Sequence, residues 1–163
     1  MTDFELSARL ALSVLFGALI GIERQWHHKT AGLKTNSLTA LGVTGFTLAS
    51  LLGFSNPSQV AVGVLTGIGF IGAGVIIRNG ESIQGVNSAA TLWVTAAGAM
   101  LIGIGRYHLA TVLLGLILII QLLLRRVAEW LDHRSTHATR HDSILFGPRE
   151  TDSRATSSPD KIL

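Results

Sequence analysis

Between Ser7 and Leu124 the chain carries only two acidic residues, Glu23 and Glu81, and its apolar residues gather into five long stretches. These are Leu6 to Ile22, Thr35 to Phe54, Val60 to Ile77, Ser88 to Gly105 and Tyr107 to Leu124. Crossing the hydrocarbon core of a bilayer takes about 20 apolar residues, with a range of about 17 to 25. No water is available there to satisfy the backbone, so a spanning segment has to be a helix or part of a closed barrel. The stretches are continuous rather than alternating, which selects helices. The predicted fold class is an all-α integral membrane protein of about five transmembrane helices packed through Gly/Ala faces. Composition agrees, because 14% of residues are charged against about 25% in soluble domains. Charge concentrates after Leu124, which divides the chain into a membrane region, 1–126, and a segment, 127–163. That segment is expected to begin with a short surface helix, "RRVAEWLD", and to continue as a polar cytoplasmic tail too poor in apolar residues to order itself.

The loops carry turn chemistry: Asn56-Pro57 after the second stretch, Asn79-Gly80 after the third. They also set an orientation, since Lys and Arg favour the cytoplasmic side. Arg24, Lys29 and Lys34, then Arg78, then Arg125 and Arg126 fall on one side of an alternating path, with Arg9 and Arg106 on the other. The N-terminus is therefore expected outside and the C-terminus in the cytoplasm of a bacterial inner membrane, multi-pass. Trp26, Trp93 and Trp130 are expected at the cytoplasmic boundary, as an aromatic belt. The N-terminus lacks the positive region of a signal peptide, so the first apolar stretch is expected to be retained. A net charge of +3 without a basic stripe gives no reason to expect nucleic acid.

Within the third stretch, "GIGFIGAG" contains G-x-G-x-x-G at Gly67, Gly69 and Gly72. A dinucleotide site needs a preceding strand, a helix opening, and an acidic residue about 20 positions on. The first acid downstream is Glu81, and the flanks form one apolar run. Helix packing accounts for the glycines better, because helices in lipid associate by close approach through small residues. Gly63, Gly67 and Gly74 form one small face, and Gly69 and Gly72 a second. Gly17 and Gly21 repeat the spacing in the first stretch.

Candidate chemistry is sparse. A divalent-cation carrier is expected to hold carboxylates at membrane depth, yet Glu23 and Glu81 both fall at predicted helix ends. The hydroxyls of the spans, including Thr39, Thr44, Thr66, Thr91 and Thr95, are expected to bond neighbouring backbone. Glu23 and Arg24 are read as an interfacial charge pair, or as part of a polar cluster with Lys29, Lys34 and Asn36 at the cytoplasmic mouth. His133, His137 and His141 stand four residues apart and would share a helical face able to ligate zinc or nickel. "HRSTHATRH" is a poor helix former, so a solvated tail without metal is the preferred reading. No catalytic constellation and no cofactor motif stand out, and an enzyme is not expected.

The stretches "GALIGIERQ", "KTAGLKTNSLTALG", "GIGFIGAGVI" and "GVNSAATLWVTAAGAM" occur in this order from Gly17 to Met100. As a set they resemble the MgtC/SapB family of bacterial inner-membrane proteins. The resemblance implies a membrane protein linked to growth under magnesium limitation and, in pathogens, to survival inside host cells. It implies a regulatory role through other membrane machinery rather than autonomous transport. Carried over by position, the family's polar residues fall on Glu23, Arg24, Lys34, Asn36, Asn87, Ser88 and Thr91. The chain departs from the family at Lys34 and Asn36, where Arg and His are usual, and at Val86, Asn87 and Ser88, where Leu-Thr-Thr is usual. Gln59 and Gly63 stand where Arg and Gln are common. Longer members add a soluble C-terminal domain, so a short form is expected here. The expected function is a non-catalytic regulator or accessory protein contacting another membrane complex, in a homo-oligomer within the lipid bilayer. The alternative is a subunit of a magnesium or other ion transporter or channel.

Overall fold

The computed structural model describes residues 1–53, 55–80, 82–123 and 126. Among these, five helices follow one another: α1 (Asp3–Trp26), α2 (Leu33–Gly53), α3 (Pro57–Gly74), α4 (Val86–Gly103) and α5 (Tyr107–Leu123). A short antiparallel hairpin, β1 (Ile77–Asn79) and β2 (Ser82–Gln84), joins α3 to α4. α1, α3 and α4 are long and apolar enough to cross a membrane, and α5 is a shorter apolar helix. Apart from Arg126, the expected surface helix, together with the whole tail, Trp130 and the three tail histidines, lies outside the described residues.

Helix ends follow from local chemistry. Thr2 caps α1, its hydroxyl oxygen accepting from the Glu5 N–H, with acidic Asp3 and Glu5 in the first turn where the helix dipole favours them. α1 ends in a Schellman arrangement: the His28 N–H donates to the Gln25 carbonyl and the Lys29 N–H to the Arg24 carbonyl. That closure requires a left-handed residue, here His28 at φ 52 rather than the usual glycine. α4 ends the same way, with Gly105 at φ 81 and the Arg106 N–H bonded to the Leu101 carbonyl. α3 starts at Pro57, where a missing N–H costs nothing.

The third apolar stretch was expected to stay helical through Ile77, but α3 stops at Gly74 and Ile77 opens β1. Three β-branched residues, Val75, Ile76 and Ile77, follow Gly74 and favour extended backbone. Asn79-Gly80 then supplies the tight turn, with Gly80 at φ 60. Gly85, at φ 91, lies against the Val75 carbonyl, where any Cβ would collide.

α4 is the central helix. With α1 and α5 it encloses Phe16, Ile20, Ile102, Ala110 and Ile117. Its other face joins α2 and α3 around Ala40, Val43, Ile68, Ala96 and Ala99. α1 and α2 approach closely: a Cβ on Gly17 would lie 2.5 Å from the Asn36 carbonyl oxygen, and one on Gly21 2.6 Å from Leu33 Cα. Gly98 faces the Phe16 ring, and Gly103 faces Thr47.

α3 packs differently. Only Ile68 and Gly72 are buried along it. Gly72 sits 3.6 Å from the Ala89 Cβ and Gly69 only grazes Trp93 at 3.9 Å, measured from a Cβ placed on each glycine. Gly63, Gly67 and Gly74 face open space, so the packing expected of that face is not made within the chain. Gly63 and Gly67 instead border an apolar groove of about 520 Å³ between α2 and α3, with Gly42, Val43 and Phe46 opposite. Gly67, Gly69 and Gly72 all lie within α3, with no strand before them among the described residues, so no dinucleotide turn forms there. Trp93 stands seven residues into α4, about 10 Å along the axis from its start.

Candidate functional site

Ser88, Thr91 and Thr95 recur at i, i+3 and i+7, which puts three hydroxyls on one face of α4. Arg24, in the last turn of α1, meets the first two. Its Nη1 donates to Thr91 Oγ1 at 3.0 Å, its Nη2 to Ser88 Oγ at 2.5 Å, and its Nε to the Ala31 carbonyl at 3.1 Å. Thr30 donates to the same Ser88 oxygen at 2.7 Å. Asn36, at the start of α2, donates to the Ala31 and Gly32 carbonyls and accepts from Thr95 at 2.9 Å. The Ala31 carbonyl thus receives both Arg24 and Asn36. One connected network ties the end of α1, the α1–α2 loop, the start of α2 and the first half of α4.

Arg24 is 4% exposed and Asn36 is fully buried. Among the described residues no carboxylate lies within salt-bridge distance of Arg24. The expected Glu23–Arg24 pair is not made: Glu23 instead pairs with His27, whose Nδ1 lies 3.2 Å from the carboxylate and 2.7 Å from the Glu23 carbonyl. Adjacent residues on a helix point about 100° apart, so Arg24 turns into the bundle while Glu23 stays near its rim. A cation buried among neutral acceptors is held by geometry: the rigid fork of donors finds three oxygens already in place.

The sequence-derived cluster is therefore divided. Arg24, Asn36, Ser88 and Thr91 come together. Lys29 and Lys34 are exposed, as is Asn87, whose contribution is a backbone carbonyl accepting from Thr91 at 2.8 Å. Thr30 was missed and Thr95 was read only as a backbone binder; the i, i+3, i+7 spacing on α4 was the available signal. Thr66 does bond its own helix, at the Val62 carbonyl, while Thr44 reaches across to Ala99 at 2.9 Å. Among the described residues no group of three His, Cys, Asp or Glu side chains could hold a metal ion.

A second buried arginine fastens the other end of α1. Arg9 donates from Nη1 to the Gly103 carbonyl at 2.7 Å and from Nη2 to Glu5 at 2.5 Å. Its guanidinium carbon lies 5.9 Å from the Tyr107 ring centroid, within cation–π range. A cation at the C-terminal end of α4 also meets the negative end of that helix's dipole. Sequence reading used Arg9 only as a topology marker. Arg9→Met is expected to destabilise the bundle by about 2 kcal/mol through loss of a buried charge-assisted hydrogen bond. Glu5→Gln is expected to change stability by about 0.5 kcal/mol or less, because that pair is half in solvent. Denaturation of both variants in mixed micelles checks the ranking.

Five helices with α4 at the centre, three of the five apolar enough to span a bilayer, and two arginines fastening α1 to opposite ends of α4 define an all-α membrane protein. It belongs to the MgtC family, whose sequence pattern matches residues 10–130. A protein named Protein MgtC from Salmonella typhimurium is 42% identical over 130 residues, covering 79% of this chain and 56% of the relative. Protein MgtC from Brucella abortus is 43% identical over 159 residues, covering 91% of this chain and 66% of the relative. The chain thus spans a little over half the length of the Salmonella relative. No solved structure matches it.

Proposed function

We propose that this protein is a non-catalytic regulator or accessory protein of other machinery in the bacterial inner membrane, acting in adaptation to magnesium limitation. One observation carries the reading. The polar side chains buried in the bundle bond one another and the backbone: Arg24 to Ser88, Thr91 and Ala31; Asn36 to Ala31, Gly32 and Thr95; Thr44 to Ala99. Groups that conduct a cation must instead present free oxygens along a path, usually with a carboxylate. Here the oxygens of this network are engaged in holding helices together, while the Gln121 amide on α5 holds the buried side-chain oxygen without a partner among the described residues. Family membership supports the bacterial membrane setting, and the exposed residues in and beside the α1–α2 loop, Trp26, His28, Lys29 and Lys34, offer a basic surface to a partner complex. The apolar groove beside Gly63 and Gly67 is consistent with homo-oligomers in the bilayer.

The test is magnesium flux into liposomes containing only the purified, folded protein, with Glu23→Gln alongside. Flux at background for both is the expected result. Robust flux that Glu23→Gln removes would replace this reading with that of an ion-transporter subunit.

In the proposed orientation the N-terminus is outside and the α1–α2 loop and the hairpin face the cytoplasm. The chain has no cysteine, so single cysteines report topology cleanly. Ser55→Cys and Tyr107→Cys are expected to react with an impermeant maleimide in intact cells, and Gln84→Cys only after permeabilisation. External labelling at Gln84 would invert the topology.

A further inference from the structure

We infer that the β1–β2 hairpin is an interfacial anchor, seated in the phospholipid headgroup layer with Arg78 on a lipid phosphate. The inference rests on α3 and α4 crossing the bilayer. Each has 18 residues, about 27 Å of helix, close to the roughly 30 Å of a hydrocarbon core. The hairpin joins their adjacent ends and therefore begins where the core stops. From Ile77 to Asn79 the strand rises about 7 Å, and each headgroup layer is about 5–7 Å deep.

Chemistry is graded along the same direction. Ile76 and Ile77 leave α3 at 42% and 50% exposure, and Ile83 leads back to α4 at 63%. Arg78 lies level with Ile83, and beyond them come Asn79, Gly80 and Ser82, with Glu81 between the last two in sequence. Register places Ile77 opposite Gln84, Arg78 opposite Ile83 and Asn79 opposite Ser82, so each of the two inner pairs holds one isoleucine and the outermost described pair is wholly polar. All six strand residues are exposed. A lone two-stranded hairpin is marginal in water, and three exposed isoleucines in a row of turns are costly there. Both costs fall if the base sits at the acyl boundary. Arg78 bonds the Gly80 carbonyl through Nε at 3.0 Å, while Nη1 and Nη2 have no partner among the described residues. That is the bidentate edge that fits a phosphate.

Ile83→Cys and, as a depth control, Leu116→Cys on α5 would each carry a fluorophore in reconstituted vesicles. Nitroxide lipids quench from near the headgroup or from deep in the acyl chain. Shallow nitroxides are expected to quench the Ile83 probe best, and deep ones the Leu116 probe. A nitroxide on phosphatidylglycerol is expected to be enriched over one on phosphatidylcholine beside Ile83 by at most about five-fold, the increment of one basic residue at an anionic surface, because Glu81 three residues on opposes it. Arg78→Gln should abolish that enrichment and leave the Leu116 probe unchanged, and added inorganic phosphate should not affect it. An Ile83 probe reached only by aqueous quencher, with Leu116 still quenched by lipid, would overturn the anchor and leave the hairpin open to a protein partner. Enrichment that survives Arg78→Gln, or that inorganic phosphate removes, would overturn the lipid-phosphate assignment. Failure of lipid quenching at Leu116 would instead remove the spanning helices on which the inference rests.

Discussion

Replacing Arg24 by lysine is expected to destabilise the bundle more than replacing it by methionine, the reverse of what a simple charge role would give. Lysine keeps the charge but loses the planar fork, so one ammonium must serve positions where three donor groups now reach Ala31, Ser88 and Thr91. It also remains a buried cation with no carboxylate in reach among the described residues, and the compact ammonium is the more strongly hydrated of the two cations. Methionine loses the same bonds but removes the charge that had to be desolvated. The oxygens it leaves are partly provided for: Ser88 still accepts from Thr30, the Ala31 carbonyl from Asn36, and Thr91 still donates to the Asn87 carbonyl. About 3 kcal/mol is expected for Arg24→Lys, from two lost charge-assisted bonds, and about half that for Arg24→Met. Denaturation in mixed micelles measures both. Methionine proving the worse substitution would mean that a counter-charge reaches Arg24 in the native protein.

Much of the fold was legible because a membrane core leaves the backbone few choices. Five continuous apolar stretches with turn residues between them became α1 to α5, each close to its expected extent. The hairpin was not legible as strands, because a three-residue run of isoleucine and valine after a glycine serves equally as the last turn of a helix. What decided it was the pairing of Ile77 with Gln84 across the turn, which no single residue's preference encodes. The site was half legible. Arg24, Asn36, Ser88 and Thr91 were singled out, but sequence adjacency suggested Glu23 as the partner of Arg24. The helix instead sent the two side chains in different directions, and the real partners lie more than sixty residues away. Arg9 went unnoticed for the same reason, since its main acceptor, the Gly103 carbonyl, is a backbone atom that every residue possesses.

Gly17→Val is expected to be among the most damaging single changes, while Gly67→Val, the same substitution in an equally glycine-rich helix, should barely affect an isolated chain. The sequence presents both glycines alike, as members of small-residue pairs four apart. The difference lies in what faces them. A Cβ at position 17 would sit 2.5 Å from the Asn36 carbonyl oxygen, 2.8 Å from its carbon and 2.9 Å from the Ala40 Cβ. Two of the three are backbone, so relief requires α1 and α2 to separate rather than a side chain to turn. Overpacking of a dense interior costs about 1–3 kcal/mol and sometimes more. The upper end applies here, because separation would also stretch Asn36 away from Ala31, Gly32 and Thr95, the bonds that orient the loop bearing Arg24's acceptor. At position 67 nothing lies within 4 Å of the added atom, and replacing glycine within a helix recovers a few tenths of a kcal/mol of backbone entropy. In monomers held in detergent, Gly17→Val should therefore lose about 3 kcal/mol and Gly67→Val should match the parent within about 0.5 kcal/mol. Crosslinking in the bilayer extends the comparison. If copies of this chain meet through α3, Gly67→Val will weaken their association without touching monomer stability, and a loss of stability in the monomer itself would show that α3 closes onto α2 more tightly than the open groove implies.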